Sequence, residues 1–252
     1  MNQLALNKKI EELIRNKDKK GEKYYQEDKL LLVQYEGSGG QGSKGATGEG
    51  VLYEYYTPDY ICELMWKLAY RYGFKPTGTV LEPSVGTGNM LKYAPDKSKC
   101  YAFETNPISK RITEILYPEA KIYNGYFETA FLQEPRFTSK LKDKLTWLTG
   151  APFSLVIGNP PYGKYKNKYS SYFTRPKMHQ IELFFMYQGL QILKPGGLMV
   201  FITGSNFLRN GITYQGEKLE LEKYAQLLDA YRLPAVFKFS SVPTDIIVLK
   251  RI

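Results

Sequence analysis

TVLEPSVGTGN (79–89) reads as a short buried strand, a glycine-rich turn and a helix starting from about Asn89. Gly86 and Gly88 suit backbone with positive φ and let the main chain approach a ligand closely. No Lys-Ser/Thr follows the glycines, so this is not a phosphate-gripping loop. A purely structural turn would use the same glycines. The next strand, YAFET (101–105), carries Glu104 about 20 residues on, where a carboxylate can accept both hydroxyls of a ribose. Taken alone, Glu104 is equally a surface carboxylate.

Outward from that turn, strands alternate with helices. TPDYICELMWKLAYRYG (57–73) has Thr57 as N-cap, a proline at the first helical position and a closing glycine. Helices are expected near 107–116, over HQIELFFMYQGLQIL (179–193, amphipathic and stopped by KPGG) and near 216–229. FSLVIGN (153–159) and LMVFIT (198–203) read as strands, and AVFKF (235–239) pairs with DIIVLK (245–250) as an antiparallel closing hairpin. Such alternation implies an α/β fold with a mostly parallel sheet, covered on both faces, with its ligand at the carboxyl ends of the strands.

In front of this domain, Leu4, Leu6, Ile10, Leu13 and Ile14 fall near a 3.6-residue period, so 3–17 is expected to be helical, with a second short helix at 26–35. EGSGGQGSKGATGEG (36–50), with seven glycines, reads as a linker. The division expected is a helical N-terminal extension (1–36), a Gly-rich linker (37–50) and a main domain (51–252).

Composition narrows the chemistry. The 252 residues suffice for one large α/β domain. No apolar run approaches the ~18 residues of a membrane span, and the N-terminus lacks the apolar core of a secretion signal, so a cytoplasmic chain is expected. Two cysteines, Cys62 and Cys100, exclude a disulfide scaffold and a Cys-based zinc site. The single histidine, His179, excludes a His-rich metal centre, and no metal is expected. Thirty-five basic against 25 acidic residues leave +10, which favours a polyanionic partner such as nucleic acid, or simply a basic surface.

The strand FSLVIG delivers Asn159-Pro160-Pro161-Tyr162 to the ligand edge of the sheet. Adjacent prolines end a strand and stiffen the turn. The Asn159 side-chain oxygen and the Pro160 carbonyl then form two acceptors on one rigid corner, which suits a planar NH₂ group. A conjugated amino nitrogen is a poor nucleophile. Accepting both of its N–H bonds favours the pyramidal form, whose lone pair can attack. Tyr162 offers a flat face for stacking. GKYKNKYSSYFTRPKMHQ (163–180) follows directly, with Lys164, Lys166, Lys168, Arg175 and Lys177, interleaved aromatics and no acidic residue. That is a nucleic-acid-binding composition, read here as a mobile loop that orders on DNA.

NPPY after a buried strand, LEPSVGTGN upstream and YEYYTP (53–58) before that resemble the S-adenosylmethionine-dependent DNA adenine-N6 methyltransferases of the gamma motif order. The likeness covers about 51–250. More loosely, NKKIEELIRNK with GEKYYQEDKLLLVQYEGSGG resembles the segment before the methylase module of phage and mobile-element methylase–helicase proteins. The resemblance implies a Rossmann-like class I methyltransferase fold with a seven-stranded sheet and an antiparallel closing strand.

It also implies residue roles. Thr57, with Tyr55 and Tyr56 beside it, would hold the methionine carboxylate of S-adenosylmethionine. Glu82, Pro83, Ser84, Gly86, Gly88 and Asn89 would line the methionine end, and Glu104 with Thr105 the ribose. In Gly125-Tyr126-Phe127, Phe127 would pack on the cofactor's adenine, with Tyr126 standing where the family has Asp. Asn159, Pro160, Pro161 and Tyr162 would be catalytic, with Asn159 also near the cofactor. Phe237, or failing it Phe239, would stack on a base flipped out of DNA. The five cations of 163–180 would contact DNA. His179 is expected to cap a helix or sit at the surface. After the last strand little room remains for reading a DNA sequence, which leaves three readings open: weak sequence specificity, a separate target-recognition subunit as partner, or a reduced form of a larger ancestor. Protein glutamine-N5 methylation, RNA adenine methylation and a non-catalytic DNA-binding role are the alternatives.

Overall fold

The computed structural model describes residues 2–36, 56–132, 147–209, 214–237 and 243–252. The helices are α1 (Gln3–Lys20), α2 (Gln26–Leu32), α3 (Asp59–Arg71), α4 (Pro107–Leu116), α5 (Trp147–Gly150), α6 (Ile181–Ile192) and α7 (Gln215–Glu222). The strands are β1 (Val80–Glu82), β2 (Cys100–Glu104), β3 (Lys121–Asn124), β4 (Phe153–Gly158), β5 (Leu193–Gly204), β6 (Ala225–Arg232) and β7 (Thr244–Arg251). They form one seven-stranded sheet in the order β3-β2-β1-β4-β5-β7-β6. Strands β3 to β5 are mutually parallel, and β7 runs antiparallel between β5 and β6.

Strand periodicity sorts the core into two layers. Val80, Ala102, Leu155, Ile157, Val200, Ile246 and Val248 face α3 on one side of the sheet. Their chain neighbours Leu81, Phe103, Val156, Met199, Phe201, Ile247 and Leu249 face α6 on the other. This alternation is the period of two that pleating imposes. Both faces are covered, so the central strands are apolar throughout rather than alternating with polar residues. A third cluster packs Ile10, Ile14, Leu32 and Tyr35 of the N-terminal segment on Ile112 and Ile115 of α4. A bidentate pair from Arg111 to Asp18, at 2.7 and 2.8 Å, ties the same two elements together.

Four expectations need correction. After the glycine turn there is only a 3₁₀ turn, Leu91–Tyr93, because Ala94 turns extended just before Pro95. Helix α3 begins at Asp59 with Pro58 as N-cap, which leaves Thr57 outside it and buried. Helix α6 is buried nearly all round rather than amphipathic, being sandwiched between the sheet and residues 163–180, and β5 already pairs at Leu193 before KPGG. The helix expected near 216–229 stops at Glu222, and Ala225–Arg232 pairs with β7; of the strand expected at 235–239, residues 238–239 lie outside the described residues. Ladder bonds to β7 outweigh the helical preference of AQLLDAYR. Residues 235–237 follow Pro234 as irregular chain.

Candidate active site

The strand order reverses direction between β1 and β4. From β1 the chain proceeds outward to β2 and β3, whereas from β4 it proceeds the other way to β5. At such a switch point the two connections diverge and leave a crevice at the carboxyl ends. Because Val80 pairs with Leu155 and Leu81 with Val156, the glycine turn and the NPPY corner emerge side by side. The Ser84 hydroxyl donates to the Asn159 carbonyl at 3.1 Å and joins them.

The glycine turn is held from several sides. Gly86 (φ +57°) and Gly88 (φ +86°) adopt the conformations that only glycine takes freely. The Gly86 amide donates to Glu104 Oε2 at 2.8 Å, and the Asn106 amide to Oε1 at 2.7 Å. The Thr113 hydroxyl donates to the Gly86 carbonyl at 2.8 Å. A Cβ on Gly86 would lie 3.1 Å from the Tyr56 ring, and one on Gly88 2.7 Å from the Tyr117 ring. The Tyr56 hydroxyl pairs with Ser109 Oγ at 2.6 Å.

Two adjoining cavities open here. The larger, about 880 Å³, is lined by Tyr56, Pro83, Ser84, Gly86, Phe103, Glu104, Thr105, Gly125, Tyr126, Phe127, Glu128, the four residues of the NPPY corner, Ile181 and Phe185. The smaller, about 310 Å³, adds Thr57, Cys62, Glu82, Val85, Thr87, Asn89 and Met90, and shares Tyr56, Ser84, Gly86 and Asn159 with the first. Phe127 packs edge-on against Phe103 (5.4 Å between centroids) and lies 5.2 Å from Phe185, so one end of the larger cavity is aromatic. Glu82 is 4% exposed and its Oε2 has no hydrogen-bond partner. Burial, then the nearby Glu104 charge, hold its carboxyl well above the usual range.

At the corner, the Tyr162 hydroxyl donates to Asn159 Oδ1. Burial raises the Tyr162 phenol well above its usual range, with the Glu182 charge adding to it. The Gly163 amide donates to Glu182 Oε2 at 3.3 Å, and burial pushes the Glu182 carboxyl up to about 7.

The basic stretch that follows packs against the cavity wall. Ile181 N donates to the Gly163 carbonyl and Tyr165 N to the His179 carbonyl, both at 2.8 Å, which closes its neck. Tyr165 stacks on Phe184 at 4.3 Å, and Lys168 Nζ sits 4.8 Å from the centre of the Tyr126 ring. Interleaved aromatics anchor this segment on the wall of the cavity. Lys164, Lys166, Lys168, Arg175 and Lys177 are exposed on it. His179 Nδ1 pairs with Glu217 Oε1 at 2.6 Å.

Of the expected site residues, Tyr56, Thr57, Glu82, Pro83, Ser84, Gly86, Asn89, Glu104, Thr105, Phe127 and Asn159 to Tyr162 line one or both cavities. Gly88 lines neither and packs beside Tyr117. Phe237 is 8% exposed, belongs to the α3-side core and lines neither cavity. Tyr55, Phe239 and the linker 37–50 lie outside the described residues. Phe103, Glu128, Ile181 and Phe185 line the larger cavity without having been expected there, as do Cys62, Val85 and Met90 in the smaller. Glu128 had a faint signal, a carboxylate two places after the Tyr126 that replaces an acid; the others look like ordinary core in any one-dimensional pattern.

The Eco57I restriction-modification methylase family matches residues 87–243. A curated relative, "Defense against restriction protein B" of Escherichia phage P1, is 29% identical over 230 residues, which are 89% of this chain and 9% of the phage protein. This chain therefore spans about a tenth of that relative. A Listeria monocytogenes protein assigned to the class I S-adenosylmethionine-dependent methyltransferases superposes with a TM-score of 0.59 at 19% identity, covering 88% of this chain and 65% of that one. The type I restriction-modification methyltransferase subunit of Streptococcus thermophilus also gives 0.59, at 21% identity, covering 79% of this chain and 45% of the subunit. The fold is that of the class I S-adenosylmethionine-dependent methyltransferases, and the chain belongs to the Eco57I restriction-modification methylase family.

Proposed function

We propose that the chain transfers a methyl group from S-adenosylmethionine to the N6 amino group of adenine in DNA, taking the base out of the duplex to do so. The observation that carries this reading is that the NPPY corner and the Gly86–Glu104 pair line one cavity. We assign the catalytic domain to 51–252 and the helical extension to 1–36.

The residues present fit the cofactor. The aromatic end suits a flat heterocycle. Glu104, held by the Gly86 and Asn106 amides with the Thr105 hydroxyl 3.4 Å from Oε1, presents a carboxylate at the cavity wall, a group suited to ribose hydroxyls. The orphaned Oε2 of Glu82 in the smaller cavity is an acceptor suited to an ammonium group. The bare Cα of Gly86 leaves space below Tyr56 that a side chain would fill.

When bound, S-adenosylmethionine supplies an electrophilic methyl group on a positively charged sulfur. The protein's task is to make the amino nitrogen attack. Asn159 Oδ1 and the Pro160 carbonyl accept its two N–H bonds and favour the pyramidal nitrogen, more strongly as positive charge develops there. Tyr162 supports the plane of the base. The exposed cations of 163–180 attract phosphates and order the strand beside the corner.

The test is to incubate the protein with labelled S-adenosylmethionine and unmethylated DNA, RNA or a glutamine-bearing protein, then digest and identify the product. N6-methyladenine from DNA is the expected result. Label confined to RNA or protein overturns the reading. Asn159→Ala is expected to abolish transfer while the variant still binds S-adenosylhomocysteine.

A further inference from the structure

Glu128 lines the larger cavity, as Glu104 does, and it is 1% exposed. It belongs to no motif quoted above. Its Oε1 accepts a hydrogen bond from Asn167 Nδ2, a side chain that comes from the middle of the basic segment. The Asn167 amide is gripped at its other end too, since its Oδ1 accepts from the Tyr169 amide at 2.9 Å. With the oxygen committed to Tyr169, the NH₂ can only face Glu128. The contact is reinforced on either side. Lys168 lies 4.8 Å from the centre of the Tyr126 ring, and Tyr126 meets Tyr169 edge-on at 5.4 Å. The wall 125–128 and the segment 167–169 are thus interlocked through Asn167, which itself does not line the cavity.

Burial raises the Glu128 pKa, and the Asn167 hydrogen bond opposes it; the buried Tyr165 hydroxyl nearby has no hydrogen-bond partner. A carboxylate has about four acceptor sites, so capacity remains, and leaving it unfilled in a low-dielectric pocket is costly. A flat heterocycle bearing an exocyclic NH₂ would meet that demand beside Phe127. We propose that Asn167 is a positioning residue. It fixes the Glu128 carboxylate so that the remaining oxygen accepts from the amino group of the cofactor's adenine, and so makes the basic segment part of the cofactor site. This rests on the S-adenosylmethionine reading. A consequence is that whatever moves residues 167–169, nucleic acid above all, alters cofactor affinity, and the reverse must hold equally.

Asn167→Asp separates this role from a merely structural one. Aspartate keeps the acceptor for the Tyr169 amide but loses the donor and sets a second carboxylate against Glu128. The probe is S-adenosylhomocysteine, with binding measured by titration calorimetry at pH 8. N167D is expected to bind about tenfold more weakly than wild type, the cost of one hydrogen bond to a charged group. The swap E128Q/N167D is expected to recover most of the loss. In that double variant the new amide at position 128 donates through its NH₂ to the new carboxylate at position 167, and its carbonyl still accepts from the ligand. Wild-type affinity in N167D, or a double variant no better than N167D, overturns the proposal. Failure of the wild type to bind the probe overturns the cofactor reading itself, and the proposal with it.

Discussion

The Tyr162 hydroxyl donates to Asn159 Oδ1, the same oxygen that the proposed chemistry needs for the amino group. The corner thus satisfies its own acceptor when no base is present. A carbonyl oxygen has two lone pairs, so an arriving NH₂ can share Oδ1 or displace the phenol. The stiffness of Pro160-Pro161 keeps the acceptor in place during that exchange.

This sets apart the two jobs of Tyr162. Tyr162→Phe removes the hydroxyl and keeps the ring, and single-turnover methyl transfer is expected to change by no more than about 1 kcal/mol, the net worth of one hydrogen bond. Tyr162→Ala removes the stacking face and is expected to slow transfer by roughly 10- to 100-fold, matching ~1–3 kcal/mol per stacked base. If Y162F were as slow as Y162A, the hydroxyl rather than the ring would carry the function.

Gly88 is constrained both by its φ of +86° and by the Tyr117 ring, 2.7 Å from where a Cβ would sit. Gly88→Ala is expected to destabilise the fold by about 2 kcal/mol or more, read from the urea midpoint. An unchanged midpoint would show that the turn can relax away from Tyr117.

Phe237 offers a direct contest between the base-stacking role implied by the family and the core position seen in the structure. At 8% exposure within the α3-side core, Phe237→Ala is expected to cost about 3 kcal/mol of stability. Intact stability combined with a large loss of transfer would return the ring to the target base.

Glu182 predicts a pH effect. An unfolded glutamate ionises near 4.5, whereas burial in the folded protein holds the proton to about 7. The native state therefore binds more protons across that window. Stability falls as pH rises from about 4.5 to 7 and is level beyond it. Glu182→Gln removes the penalty, so the variant is expected to gain about 1–3 kcal/mol on wild type at pH 8 relative to pH 4.5, measured by urea unfolding at both. A variant that lost ground at pH 8 would mean that the Gly163–Glu182 hydrogen bond needs the charge more than burial resists it.

Much of the fold was legible because its signals are local. The apolar runs at 80–82, 100–104 and 153–158 could only be buried strands, and Asn106-Pro107 marks a helix start by capping and fixed φ. The motif-bearing part of the site was legible for the same reason: glycines after a short strand and paired prolines after another constrain the backbone whatever surrounds them. Ala225–Arg232 was not legible, since AQLLDAYR satisfies a helical pattern and becomes a strand only because β7 offers it a ladder. Glu128 and Asn167 lie far apart in sequence with no spacing rule between them, so their contact could not be read in one dimension.

By itself the sequence determined which chemical groups exist and which short segments are stiff: two acceptors on a proline corner, a glycine turn, and a carboxylate one strand further on. Tertiary structure alone decided that these meet. The pairing of β1 with β4 places both turns at one sheet edge, and packing between 125–128 and 167–169 closes the wall around them. The reason is physical: backbone stiffness is set within a few residues of chain, whereas a cavity is the space left between segments, and its shape depends on how all of them pack.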